Sequence, residues 1–246
     1  MSMLINPYRF GVSAPVGTYD AEVLADSPIA YWKLDETSGT TAADEQAAHD
    51  GAYAGTYTLG GTAVVSDGGS SFDIAGSGRM VVPHHADFNM AATGVSDETI
   101  EMWVKLDNPA ASAIQFLADK TAGASANGQW DIAWDNRSGV QTLRCWAAGS
   151  SYIVTWSGSA PQSALAAGGH LVFVKRGTTL ELWWDGSLEA SATYGAYTPS
   201  SSNTLDPTFG QYTGAGFGVT GLMDNIAFYK TALSSTRIGV HHTAGS

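Results

Sequence analysis

The chain has 246 residues, a formal charge of −12, 14% charged residues, 44% hydrophobic and 11% aromatic ones. Such a composition excludes disorder as the main state, and its acidity removes the electrostatic footprint that DNA, RNA or an anionic membrane would require. The single cysteine, Cys145, excludes an intrachain disulfide and a cysteine-rich metal cluster, and no apolar run approaches the ~20 residues of a membrane span.

Residues 1–27 stand apart from the rest. Pro7, Pro15 and Gly17 punctuate small and aromatic residues, so the segment reads as an N-terminal arm or linker without a core of its own. Leu4, Ile5, Tyr8, Phe10 and Tyr19 are its expected assembly contacts, gaining burial only against a neighbouring subunit. A short helical turn over 19–25 is expected, with Asp20 and Glu22 in its first turn. The opening residues lack the basic region of a secretory signal, so synthesis in a cytoplasm without export is expected.

From Ile29 onward the pattern is short strands between Gly, Ser, Asp and Asn clusters. Strands are expected at 29–34, 71–74, 79–83, 99–106, 113–120, 129–135, 142–147, 151–156, 170–175, 179–185, 188–193, 208–211 and 221–229. The 99–106 segment alternates cleanly, with Ile100, Met102 and Val104 on one side and Glu101, Trp103 and Lys105 on the other. No helical periodicity is evident before residue 231; one turn over 233–238 is expected, with Ser234 as N-cap, followed by an exposed tail at 241–246. This pattern predicts an all-β sandwich or barrel.

Five segments in order resemble the laminin-G-like, concanavalin A-like jelly-roll family. They are the IAYWKLDETSG opening at Ile29 with Asp44 and the later HDG at His49, SFDI at Ser71 with MVVP at Met80, TIEMWVK at Thr99, HLVFVK at His170 with LELWWDG at Leu180, and GLMDNIAFYKTALS at Gly221. The resemblance implies a two-sheet antiparallel jelly-roll sandwich over residues 28–240. It also implies one Ca²⁺ held by loop carboxylates; Asp44, Asp73 and Asp224 match the family's acidic positions, while Asn225 stands where the family has a glutamate. Residues 4–10 resemble the start of many tailed-bacteriophage virion proteins.

Glycoside hydrolysis on such a fold needs two nearby carboxylates. No Glu has Asp two positions on; Glu98 and Glu101 would face opposite ways, and Glu181 and Asp185 lie roughly 13 Å apart on a strand. No G-x-S-x-G is present, so no enzyme is expected. His84-His85 and His241-His242 lack the i+2 or i+4 partner of a metal site and read as solvated residues. A sugar platform would come from Trp130, Trp134, Trp146, Trp156 or Trp183, whereas Trp32, Trp103 and Trp184 fit core positions.

The sequence reading is therefore a non-enzymatic bacteriophage virion structural protein, either capsid decoration or tail fibre. It would sit on the virion surface as a homo-oligomer, a trimer by expectation, beside other virion proteins and touching host-surface glycans. A bacterial carbohydrate-binding module is the alternative, and a glycoside hydrolase the second.

Overall fold

A computed structural model of the chain describes residues 17–66, 68–90, 97–121, 129–147, 152–195, 204–213 and 216–246. Leu4, Ile5, Tyr8 and Phe10 lie outside these residues. The order begins with α1 (Tyr19–Ala25), β1 (Ala30–Trp32), β2 (Thr41–Ala42), β3 (Gly51–Ala54), β4 (Tyr57–Thr62), β5 (Ser70–Ala75) and β6 (Arg79–Val81). It continues with β7 (Glu98–Leu106), β8 (Ile114–Asp119), β9 (Trp130–Asp135), β10 (Thr142–Ala147), β11 (Ile153–Ser157) and α2 (Ser159–Ala167). Last come β12 (Gly169–Arg176), β13 (Thr179–Trp184), β14 (Ser187–Thr193), β15 (Thr208–Phe209), β16 (Thr220–Tyr229) and α3 (Ser235–Gly245).

Among the described residues the strands form two eight-stranded antiparallel sheets. The first runs β14-β13-β12-β7-β16-β5-β4, with β1 also paired to β16; the second runs β11-β10-β9-β8-β15-β6-β3-β2. Strand alternation decides what each sheet turns inward. Ile100, Met102 and Val104 of β7 join Leu171 and Phe173 of β12 and Met223 and Phe228 of β16 in the core between the sheets. Trp130, Ile132, Trp134, Leu143 and Cys145 meet them from the second sheet. This is the expected jelly-roll sandwich. No helix of the described residues is long and apolar enough to cross a membrane.

The outer face of the first sheet is also covered, which the sequence reading did not anticipate. Tyr31, Trp103, Val172, Val174, Trp183 and Tyr229 form a second apolar cluster with Tyr19 and Val23 of α1 and Ile238 of α3. The expected arm boundary at residue 27 is corrected: Thr18 caps α1, and Tyr19 is fully buried in the domain's own packing. The expected exposed tail is corrected as well. α3 is N-capped by Ser234 as expected but runs to Gly245, and His241 is fully buried. α2 is an unexpected helix. Pro161 sits in its first turn, where no N–H is lost, and only Pro161 and Leu165 are buried, so it has almost no apolar stripe to read.

Gly221 is where β16 crosses β7. Its φ is +147°, and a Cβ there would overlap the Lys105 carbonyl oxygen. Gly221→Ala is expected to destabilise the fold by at least about 2 kcal/mol, measured by urea unfolding, because strain and overlap both fall on a central strand pair.

Candidate functional site

Outward-pointing residues of β8, β9 and β10 lie side by side on the outer face of the second sheet. The register pairs Arg144 with Ala133, Trp146 with Asp131 and Thr142 with Asp135, and it pairs Asp131 with Asp119 across β8. Period-2 alternation therefore puts Asp131, Ala133 and Asp135 beside Thr142, Arg144 and Trp146 on one surface.

Arg144 organises that surface. Its guanidinium lies 4.5 Å from the Trp146 ring centre and 5.7 Å from that of Phe116, both within cation–π reach. It pairs with Asp131 at 3.6 Å and with Asp135 at 3.4 Å. Asp135 is further held by a bidentate Arg137 at 2.6 and 3.0 Å, and these hydrogen bonds pull its carboxyl below the ordinary range. Beyond Phe116 the aromatic surface continues through Tyr212, 5.0 Å away, to Phe217, which is 52% exposed. Trp146 is half-buried. Among the described residues, Asp131 Oδ1, Arg144 Nε and Trp146 Nε1 find no hydrogen-bond partner.

Two carboxylates in adjacent strands resist ionising together. Burial pushes Asp131 up to about 7, with Arg144 pulling it down and Asp119 adding to the rise. Burial also raises Asp119, against hydrogen bonds from the Thr121 hydroxyl and from the Thr213 amide and hydroxyl. The face thus presents a partly exposed aromatic platform of Trp146, Tyr212 and Phe217 with the Arg144 cation against it, over the buried Asp131 carboxyl, which holds its proton near neutrality. That combination suits the apolar face and hydroxyl rim of a sugar ring.

Of the expected sugar-contact tryptophans, Trp146 alone stands on this face. Trp130 and Trp134 are buried between the sheets, where their Nε1 groups donate to Phe88 O and Pro109 O, each at 2.8 Å. Trp156 points inward and packs 6.1 Å from Trp184. Trp183 lies on the first sheet, 9% exposed, with Nε1 bonded to Glu181. Arg144, Asp131, Asp135, Phe116 and Tyr212 were missed by the sequence reading. The i, i+2 series Asp131/Ala133/Asp135 and Thr142/Arg144/Trp146 in paired strands was the available signal.

Asp44, Asp73 and Asp224 do not come together in one cluster, so the expected calcium set is not assembled from them. Asp44 accepts N–H bonds from Tyr31, Gln46, Ala48 and His49, fixing the loop after β2. Asp224 accepts from Val64 and Val65 and from the Asn225 amide, while Asp73 is half-buried on β5. Backbone amides meet the Asp44 carboxylate, and backbone amides together with the Asn225 side-chain amide meet that of Asp224.

A family model described as the concanavalin A-like lectin/glucanases superfamily matches residues 75–239. No curated protein matches the chain. The fold resembles the botulinum neurotoxin serotype D binding domain, with TM-score 0.66 and 9% identity over 90% of this chain and 52% of that one. A serotype D ligand-binding domain in complex with N-acetylneuraminic acid matches with TM-score 0.62 and 10% identity, over 92% and 52%. Domain 4 of AbnA, a GH43 extracellular arabinanase from Geobacillus stearothermophilus, in complex with arabinotriose, matches with TM-score 0.58 and 14% identity over 87% and 97%. The chain spans about half the length of the neurotoxin chains it resembles.

Proposed function

This chain belongs to the concanavalin A-like lectin/glucanases superfamily, and on that premise we propose that it is a non-enzymatic glycan-binding module that binds on the outer face of β8, β9 and β10. The observation that carries this reading is Trp146, half-buried on that face beneath the Arg144 guanidinium and next to the partly exposed Phe116–Tyr212–Phe217 surface. The glycans bound to two neighbours of the same fold support a sugar as the ligand class.

The test is a glycan array carrying sialylated and arabino-oligosaccharide ligands, followed by calorimetry on the hits. Trp146→Ala is expected to weaken binding at least about tenfold, since stacking on one such ring supplies about 1 kcal/mol or more. Trp183→Ala, on the other sheet, is expected to leave affinity unchanged. Absence of binding by the wild-type chain, or unchanged affinity in Trp146→Ala, overturns the reading.

The adjacent Asp119 and Asp131 favour a second reading, a glycoside hydrolase in which Asp131 supplies a proton. Release of reducing sugar that disappears in Asp131→Asn would replace the first reading with this one.

The display setting belongs to the same proposal: a homo-oligomer on the surface of a tailed-bacteriophage particle, as decoration or tail-fibre component, docked through residues 4–10. The resemblance of that segment supports it, and mass spectrometry of purified particles tests it.

A further inference from the structure

His84 and His85 are neighbours in sequence but face different surroundings. His84 Nδ1 lies 3.3 Å from Lys120 Nζ, whereas the His85 ring lies 4.9 Å from that of His49, tilted by 50°, in the loop after β2. His85 Nδ1 is 3.0 Å from Asp87 Oδ2, and His49 Nε2 is 3.9 Å from the same oxygen. One ring nitrogen of each histidine and one Asp87 oxygen all lie within 4.8 Å of one another, the one such group among the described residues. His85 is solvent-exposed in its loop, as expected, but the expected lack of an i+2 partner is corrected: Asp87 is that partner, and His49 arrives from far along the chain.

We propose that His49, His85 and Asp87 form a binding site for a divalent transition metal of the zinc class, joining the loop after β2 to the turn at Ala86–Phe88. Three observations carry this. First, tetrahedral coordination with bonds of about 2.0–2.1 Å sets ligand atoms about 3.4 Å apart, and the separations of 3.0 and 3.9 Å bracket that value. Second, the donors are two imidazoles and a carboxylate, a set that suits zinc, while calcium and magnesium take oxygen ligands.

Third, His49 is held in place before any metal arrives. Its N–H donates to Asp44 at 2.9 Å, its carbonyl accepts from Trp32 Nε1 at 2.8 Å, and its ring packs edge-on against buried Phe88 at 4.8 Å. Pre-positioning of this kind lowers the ordering cost of closing the site. The three ligands border a cleft of about 480 Å³ lined also by Asp50 and Pro83, so a fourth coordination position is open to water. This site is independent of the glycan face, which shares none of its residues.

The test uses the full chain, stripped with chelator and titrated with zinc by calorimetry, with cobalt as a spectroscopic probe. One equivalent per chain is expected, with the visible bands of four-coordinate cobalt. His49→Gln and Asp87→Asn are each expected to weaken binding at least about tenfold, the scale on which even supporting residues act. His242→Gln is expected to change nothing, because that imidazole lies elsewhere, 3.7 Å from Asp185. Zinc should also raise the melting temperature of the wild-type chain but not of Asp87→Asn. Asp87 is half exposed, so its variant folds even where a His49 variant does not. No stoichiometric binding, or full affinity retained in Asp87→Asn, overturns the site.

Discussion

Replacing Glu101 by alanine is expected to cost the fold about 3–5 kcal/mol, the penalty for removing one member of a buried ion pair and stranding the others. Glu101 lies on β7, fully buried on the outward side of the first sheet. It accepts from the Tyr229 hydroxyl, from His170 Nε2 at 3.0 Å and from His241 Nδ1 at 3.0 Å. His241 carries the link onward, with Nε2 3.0 Å from Asp26 Oδ2. Arg237 bonds Asp26 at 2.7 Å and Glu22 at 2.9 Å. One carboxylate thus joins β12, β16, α3 and, through α3, α1. Urea unfolding of Glu101→Ala measures the cost; a loss below about 1 kcal/mol would mean the cluster is no better than an exposed ion pair.

The same cluster predicts a pH window. Burial raises the Glu101 carboxyl, but the charge and hydrogen bonds of His241 and His170 outweigh it and hold it well below the carboxylate range. Burial lowers His241, but the charge and hydrogen bond of Glu101 outweigh it, and its net shift is upward. The depressed acid contributes stability above its ordinary value of 4.5 and loses it as pH falls through the folded value. The raised base contributes below its ordinary value of 6.5 and loses that as pH rises through the folded value. The stability gap between the wild-type chain and His241→Gln is therefore expected to be widest between pH 4.5 and 6.5 and to narrow on both sides. A gap independent of pH would show that the pair does not titrate as one unit.

The sandwich was legible because period-2 patterning survives inspection without knowledge of partners. Ile100, Met102 and Val104 turn inward as their spacing implied. What lay outside that signal is polar burial. α3 reads STRIGVHHTAG, and its sheet-facing side includes His241 and Gly245, which no hydrophobic period marks as interior. Gly245 is needed there because a Cβ would collide with the Trp103 ring. Tyr19 belonged to a segment that composition assigned to an arm, and only the tertiary structure gives its ring a home. On the candidate face, Trp146 could be named from sequence, but Arg144 could not, since its partners lie on β9 and β8. The His49–His85–Asp87 group spans 39 residues of chain (49 to 87), so only its His85–Asp87 pair was within local reach.

Removing residues 1–27 is expected to destabilise the domain by several kcal/mol, and Tyr19→Ala alone by about 3–5 kcal/mol, the range for truncating a buried aromatic. Tyr19 meets Trp103 edge-on at 5.8 Å, His170 at 6.0 Å and His241 at 6.2 Å. The longer truncation also removes buried Val23, the Asp20 bonds to Tyr31 at 2.6 Å and Lys33 at 2.9 Å, and the Asp26 end of the His241 chain. Tyr31, Trp103 and Val172 then lose their cover, which creates an apolar patch prone to self-association. A truncation at residue 16 keeps every one of these contacts. Unfolding midpoints of the two truncations, compared with the full chain, test this directly: a 1–27 deletion as stable as the full chain would show that α1 contributes nothing to the fold. The distinction governs any assay of assembly by Leu4, Ile5, Tyr8 and Phe10. Light scattering on the 1–27 deletion mixes lost docking with newly exposed Trp103 and Tyr31, so a change in mass there has two causes. The same measurement on the 1–16 deletion isolates the four apolar residues, because Tyr19 stays in the packing where the fold holds it.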